Sequence, residues 1–177
     1  MLRISFLFVT FLFAHFAYAQ EEIKKFIDWN SVITTDAFSD ETSYYVATES
    51  TNKNGFNQKA VLSLILSTSN VSRKNINAIG MTFHGYNCGN ESNDDRVKLL
   101  LRVDQNQVID MNWNKYDSND GAFSFSTPKE IILLIDQMFE GQQLLIRVFD
   151  ERCGEKEDWA FSLQGLTSSH EYVLKNL

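Results

Sequence analysis

The sequence predicts a mainly β (α+β) protein of one domain: an antiparallel sandwich-like or barrel-like sheet of about six to eight strands, one packed helix and a short C-terminal helix. Three observations carry this expectation. Val97, Leu99, Leu101 and Val103 alternate with Lys98, Leu100, Arg102 and Asp104, the period of a strand with one face on a core. The segments around it are joined by short stretches rich in Asn, Ser, Gly and Asp, which favour antiparallel neighbours over long crossovers. One segment, TPKEIILLIDQMFEG, changes to a helical period.

At the N-terminus, residues 1–19 read as a cleavable signal peptide. Arg3 precedes an apolar run from Ile4 to Phe13, and Ala17 and Ala19 supply the small residues a signal peptidase needs, so cleavage is expected between Ala19 and Gln20. The run is shorter than the roughly 20 residues that span a bilayer, which argues against a permanent anchor and for no stable membrane insertion after cleavage. The remaining residues 20–177 suffice for one core and are few for two. Removing Arg3 leaves 15 Lys and Arg against 23 Asp and Glu, net −8. That balance excludes nucleic acid and anionic membrane as natural partners, and where charge matters it favours a basic protein.

The strands follow in order. Thr48 to Lys59 and Asn87 to Asp95 are polar loops. Ala60 to Ser67 is an apolar run of strand length, and Ile79 to Phe83 is a shorter one. After the strand ending at Val103, Ile109, Met111 and Trp113 resume the alternation as the second arm of a hairpin, and Phe123 and Phe125 continue the meander. The helix, about 128–140, has Thr127 as cap, Pro128 where its missing N–H costs nothing, Glu130 completing a capping box and Gly141 as terminator. Ile131, Leu134, Ile135 and Met138 form its stripe, widened by Ile132, Leu133 and Phe139. Leu144, Ile146 and Val148, then Trp159, Phe161 and Leu163, give two more strands. Ser168 and Glu171 suggest a second capping box, opening a tail with Val173, Leu174 and Leu177.

Motifs that would name an enzyme are missing: there is no Gly-rich phosphate loop, no His-Glu-x-x-His and no Gly-x-Ser-x-Gly. The expectation is no catalytic residue, no cofactor and no metal. Cys88 and Cys153, with 64 residues between them in an exported chain, are expected to form one disulfide. Under the chain-entropy model such a bond stabilises by roughly 4 kcal/mol. Weaker alternatives are a metal site at His84, Cys88 and His170, a carboxylate pair among Asp36, Asp40, Asp104, Asp110 and Glu151, and a calcium loop at Asn90, Asp94 and Asp95. Asn70 and Asn90 head Asn-x-Ser patterns. Tyr44, Tyr45, Tyr86, Tyr116 and Trp113 are aromatic candidates for a binding face, though packing is the commoner role.

From Arg102 onward the layout RVDQ, Trp113, GAFSF, a capped helix, LLIRVFD and WAFSLQGL resembles the TagO (VasI) family of exported bacterial proteins associated with type VI secretion, over about 75 residues. Upstream, Trp29 and the stretch Asp36 to Asp40 add to the likeness. The resemblance implies a periplasmic accessory protein and carries no catalytic residues. The expected function is non-enzymatic protein binding in the periplasm. The alternative is an inhibitor or immunity protein against a basic cell-wall hydrolase, which the negative charge favours.

Overall fold

A computed structural model describes residues 20–54, 57–67, 74–83, 96–115, 121–125, 128–150 and 155–177. The Cys88–Cys153 pairing, His84, the Asn90, Asp94 and Asp95 loop, Glu151, Tyr86, Tyr116 and both Asn-x-Ser patterns lie outside the described residues.

The protein is mainly β, as expected. Its strands number ten among the described residues rather than six to eight: β1 (Gln20–Phe26), β2 (Trp29–Thr35), β3 (Thr42–Glu49), β4 (Val61–Leu66), β5 (Ile76–Thr82), β6 (Arg96–Val103), β7 (Ile109–Lys115), β8 (Gly121–Phe125), β9 (Gln143–Asp150) and β10 (Glu155–Ser162). They form one antiparallel sheet in the order β1, β2, β3, β4, β5, β8, β7, β6, β9, β10. Two helices accompany it, α1 (Lys129–Glu140) and α2 (Leu166–Asn176). No helix among the described residues is long and apolar enough to cross a membrane.

The three extra strands, β1 to β3, precede Ser50 in the chain's first third, where sequence alternation is weak. A two-residue turn at Ile27 and Asp28 joins β1 to β2, with Ile27 in the left-handed region at φ 53, an uncommon place for a β-branched residue. β3 runs to Glu49, so the loop read as starting at Thr48 begins two residues later.

The inner face gathers one core. Trp29 from β2, Trp113 from β7 and Trp159 from β10 are fully buried in it, with Leu62 and Leu64 from β4 and Leu99 and Leu101 from β6. Each such leucine contributes about 1.5–3 kcal/mol by leaving water. From α1, Ile131, Leu134, Ile135 and Met138 are buried, which is the stripe read from sequence. Ile132 and Leu133 do not widen it; they are exposed.

The helix ends differ from the sequence reading. Pro128 is the N-cap of α1, with an extended ψ of 138 and no side-chain cap, and its carbonyl takes the Ile131 and Ile132 amides at 3.1 Å each; Thr127 lies outside the described residues. Gly141 is extended rather than left-handed, and its smallness serves packing, since a Cβ there would overlap Val103 Cγ1. Helix α2 starts at Leu166 after Gly165 at φ 93, so Ser168 lies inside the helix and caps nothing. A Cβ at Gly165 would overlap the Phe26 carbonyl oxygen.

α2 packs on β1, β2 and β3. There the Ser31 hydroxyl meets both the carbonyl and the hydroxyl of Ser169 at 2.8 Å, satisfying a polar pair within the core. The far end of the sheet is tied back to the start of the chain. Trp29 Nε1 donates to the Ser162 carbonyl at 3.0 Å, and Asp28 N donates to the Gln164 carbonyl at 3.3 Å.

Candidate functional site

Of the residues proposed from sequence for chemistry, those described have local structural partners. Asp36 caps the β2–β3 turn: one carboxylate oxygen accepts the amides of Phe38 and Ser39 at 2.8 Å each, and these bonds hold its pKa below the ordinary range. Asp40 sits in the same turn at φ 55. Asp104, in the β6–β7 turn, accepts the amides of Gln142 and Gln143, tying that turn to the α1–β9 connection. Asp110, on β7, pairs with Lys98 at 3.6 Å. Asp36 and Asp40 share one turn while Asp104 and Asp110 lie elsewhere, and the Asp36, Asp104 and Asp110 carboxylates are each engaged in their own local bonds. His170 is buried against Phe139, with its Nε2–H donating to the Lys74 carbonyl at 2.7 Å. Among the described residues no group of three His, Cys, Asp or Glu side chains is placed to hold a metal. Of the aromatic candidates, Trp113 is fully buried and Tyr44 packs on the core, while Tyr45 is half-buried on the opposite face.

What does stand out is a groove of about 320 Å³ on the outer face of β6, β9 and β10. Register builds it. In one row across the three strands Leu100, Arg147 and Asp158 are neighbours; in the next, Arg102, Leu145 and Ala160 are neighbours. Apolar and charged side chains therefore alternate along each strand, and the two rows bring Leu145 and Ala160 side by side and Arg147 beside Asp158. Val108, 46 % exposed, flanks one side. Asn52, reaching over from the β3–β4 connection, closes the other.

Asn52 holds its place through the backbone of β10. Its Nδ2 donates to the Asp158 carbonyl at 2.7 Å, and its Oδ1 accepts from the Ala160 amide at 2.8 Å, so the carboxamide acts as a peptide unit of a further strand. Thr51 adds a backbone bond to the Ala160 carbonyl at 2.7 Å.

The groove's two arginines differ. Arg147 grips Asp158 in a two-pronged pair at 2.6 Å on both arms, which raises the guanidinium pKa and lowers that of the carboxyl. An ion pair this exposed adds little to stability, and its effect is to fix both side chains in one orientation. Arg102 is half-buried and has no ion-pair partner among the described residues, leaving planar N–H donors beside an apolar floor. The arrangement can hold an apolar side chain on Leu100, Leu145 and Ala160 while Arg102 meets a carboxylate.

Sequence reasoning missed this site although a signal for it was present. In LLLR (99–102) and LLIR (144–147) a leucine occupies the outward position of each strand, where alternation calls for a polar residue.

No family model, curated protein or solved structure matches the chain. The TagO resemblance read from residues 102–174 receives no support from these comparisons.

Proposed function

We propose that the protein is an exported, non-enzymatic binding protein that holds a segment of another protein in the groove of β6, β9 and β10. The single observation behind this reading is a preformed apolar floor framed by one arginine already locked to Asp158 and one, Arg102, with donors to spare. The chemistry of the floor suits a partner segment that presents an apolar side chain next to a carboxylate. At physiological salt, charges more than about 8 Å apart are largely screened, so the groove's own arginines outweigh the distant acidic surface at contact. The signal-like leader and the TagO resemblance support a periplasmic setting, with a component of a secretion apparatus as partner.

The negative charge, −7 for the full chain and −8 once a leader carrying Arg3 is removed, supports a second reading, inhibition of a basic cell-wall hydrolase. Both are tested by affinity capture from periplasmic extract with the wild-type protein and the Arg102→Glu variant, after circular dichroism has shown equal folding. Losing a desolvated interface arginine costs on the order of 2 kcal/mol, about thirtyfold in affinity. A protein held by the wild type and lost by Arg102→Glu supports groove binding. A basic hydrolase retained equally by both supports inhibition through another surface, and an identical non-hydrolase set on both baits overturns the groove reading.

A further inference from the structure

The two ends of the sheet are treated differently by the fold. At β10 the outward backbone groups of Asp158, Ala160 and Ser162 are taken by Asn52, Thr51 and Trp29. At β1 no partner covers the outer side among the described residues. Because a two-residue turn makes Phe26 and Trp29 a hydrogen-bonded pair, Lys24 and Glu22 also bond to β2, and the N–H and C=O of Glu21, Ile23 and Lys25 point away from the sheet. An open edge of this kind invites another strand.

The side chains along that edge read as their own complement. In Glu21-Glu22-Ile23-Lys24-Lys25, an antiparallel copy centred on Ile23 sets Glu21 opposite Lys25, Glu22 opposite Lys24, and Ile23 opposite itself. The centre falls on a residue whose backbone groups face outward, so Ile23 pairs with Ile23, and Glu21 with Lys25, through bonds those groups have free. The permitted registers on either side place Glu22 against Glu22 or Lys24 against Lys24 on the two-fold axis, and like charges directly opposite are destabilising. Glu21 and Lys25 are exposed and have no ion-pair partner among the described residues, and Ile23 is 60 % exposed. Glu22 and Lys24 lie on the other face, against Tyr172 of α2. Ile23 also ends an outer-face row that register continues through Val32, Tyr45, Ile65, Ala78 and Phe125. Joining two copies at Ile23 makes that row continuous across both.

We propose that β1 is a self-association edge: two copies of this chain pair antiparallel through β1 about a two-fold axis at Ile23, in the register set by Glu21 and Lys25. The contact is one short strand from each copy, smaller than a standard interface, so the dimer is weak and reversible. Sedimentation equilibrium of the purified protein over a concentration series tests it. The wild type is expected to dimerise, and Glu21→Lys and Lys25→Glu each to weaken dimerisation at least about tenfold by setting like charges opposite. Mixing the two single variants restores the dimer, as does the double variant, because either combination sets opposite charges face to face again. Ile23→Pro removes an outward N–H that no described residue bonds and is expected to give a monomer that folds normally. A wild type that stays monomeric at its solubility limit, a dimer indifferent to both single variants, or no recovery on mixing them would overturn the proposal.

Discussion

His170 shows how a residue that reads as chemistry in the sequence serves packing in the fold. Burial among α1, α2 and the Lys74 turn pushes its pKa below the ordinary histidine value, partly offset by the bond its Nε2–H gives the Lys74 carbonyl. Lys74, which is paired with Asp136 and lies over the Phe139 ring, adds positive charge that also disfavours the imidazolium, while Glu171 opposes it. The folded state therefore binds its proton at lower pH than the unfolded chain does. The stability this represents is fully present above the unfolded value, about 6.5, and is lost as pH falls through the folded one. Urea midpoints measured between pH 7.5 and 5.5 should decline for the wild type and decline less for His170→Gln. Equal declines would show that other groups carry the dependence.

At the scale of elements, the strands that sequence revealed most clearly are those whose inner positions are apolar; β8 was read instead from Phe123 and Phe125, although its inner positions are Ala122 and Ser124. β6, with Val97, Leu99, Leu101 and Val103 all buried, is the clearest. β2 was hidden because its inner row is Trp29, Ser31 and Ile33, and the serine breaks the pattern; only α2, through Ser169, makes a serine acceptable there. β1 was hidden because its inner side is Glu22, Lys24 and Phe26, covered by one tyrosine rather than by the core. The groove shares this cause, since outward leucines acquire meaning only when β6, β9 and β10 are set side by side. Edge closure was equally out of reach: nothing local marks Asn52 as a surrogate for a strand. Asn52→Ala is expected to unpair the Ala160 amide and the Asp158 carbonyl at a cost of about 1 kcal/mol, because water reaches both groups. The sharper readout is hydrogen exchange, in which the Ala160 amide should lose protection while amides of β4 keep theirs. Unchanged protection at Ala160 would mean that the Asn52 carboxamide is not what covers that amide.

At the scale of the molecule, the sheet has a narrow waist. β7 and β8 pair through Asn114 with Phe123 and Lys115 with Ala122, so the run from β1 to β8 and the run from β7 to β10 are weakly joined by backbone bonds among the described residues. If the ladder alone determined cooperativity, the two halves would unfold separately. The core argues the opposite. Trp29 belongs to the first half, Trp113 and Trp159 to the second, and all three lie in one buried cluster with the stripe of α1. The Trp29 indole donates across to Ser162, and the Thr51 and Asn52 bonds to β10 cross in the same sense. A shared interior of this kind makes loss of either half expose the other's apolar face, so unfolding is expected to be a single two-state transition, with tryptophan fluorescence and far-ultraviolet circular dichroism giving the same midpoint. Leu64→Ala in the first half and Leu134→Ala in α1 should each cost about 2–5 kcal/mol and move both signals together. A variant that shifts the fluorescence transition while leaving part of the circular dichroism transition in place would show that the waist divides the molecule into two folding units.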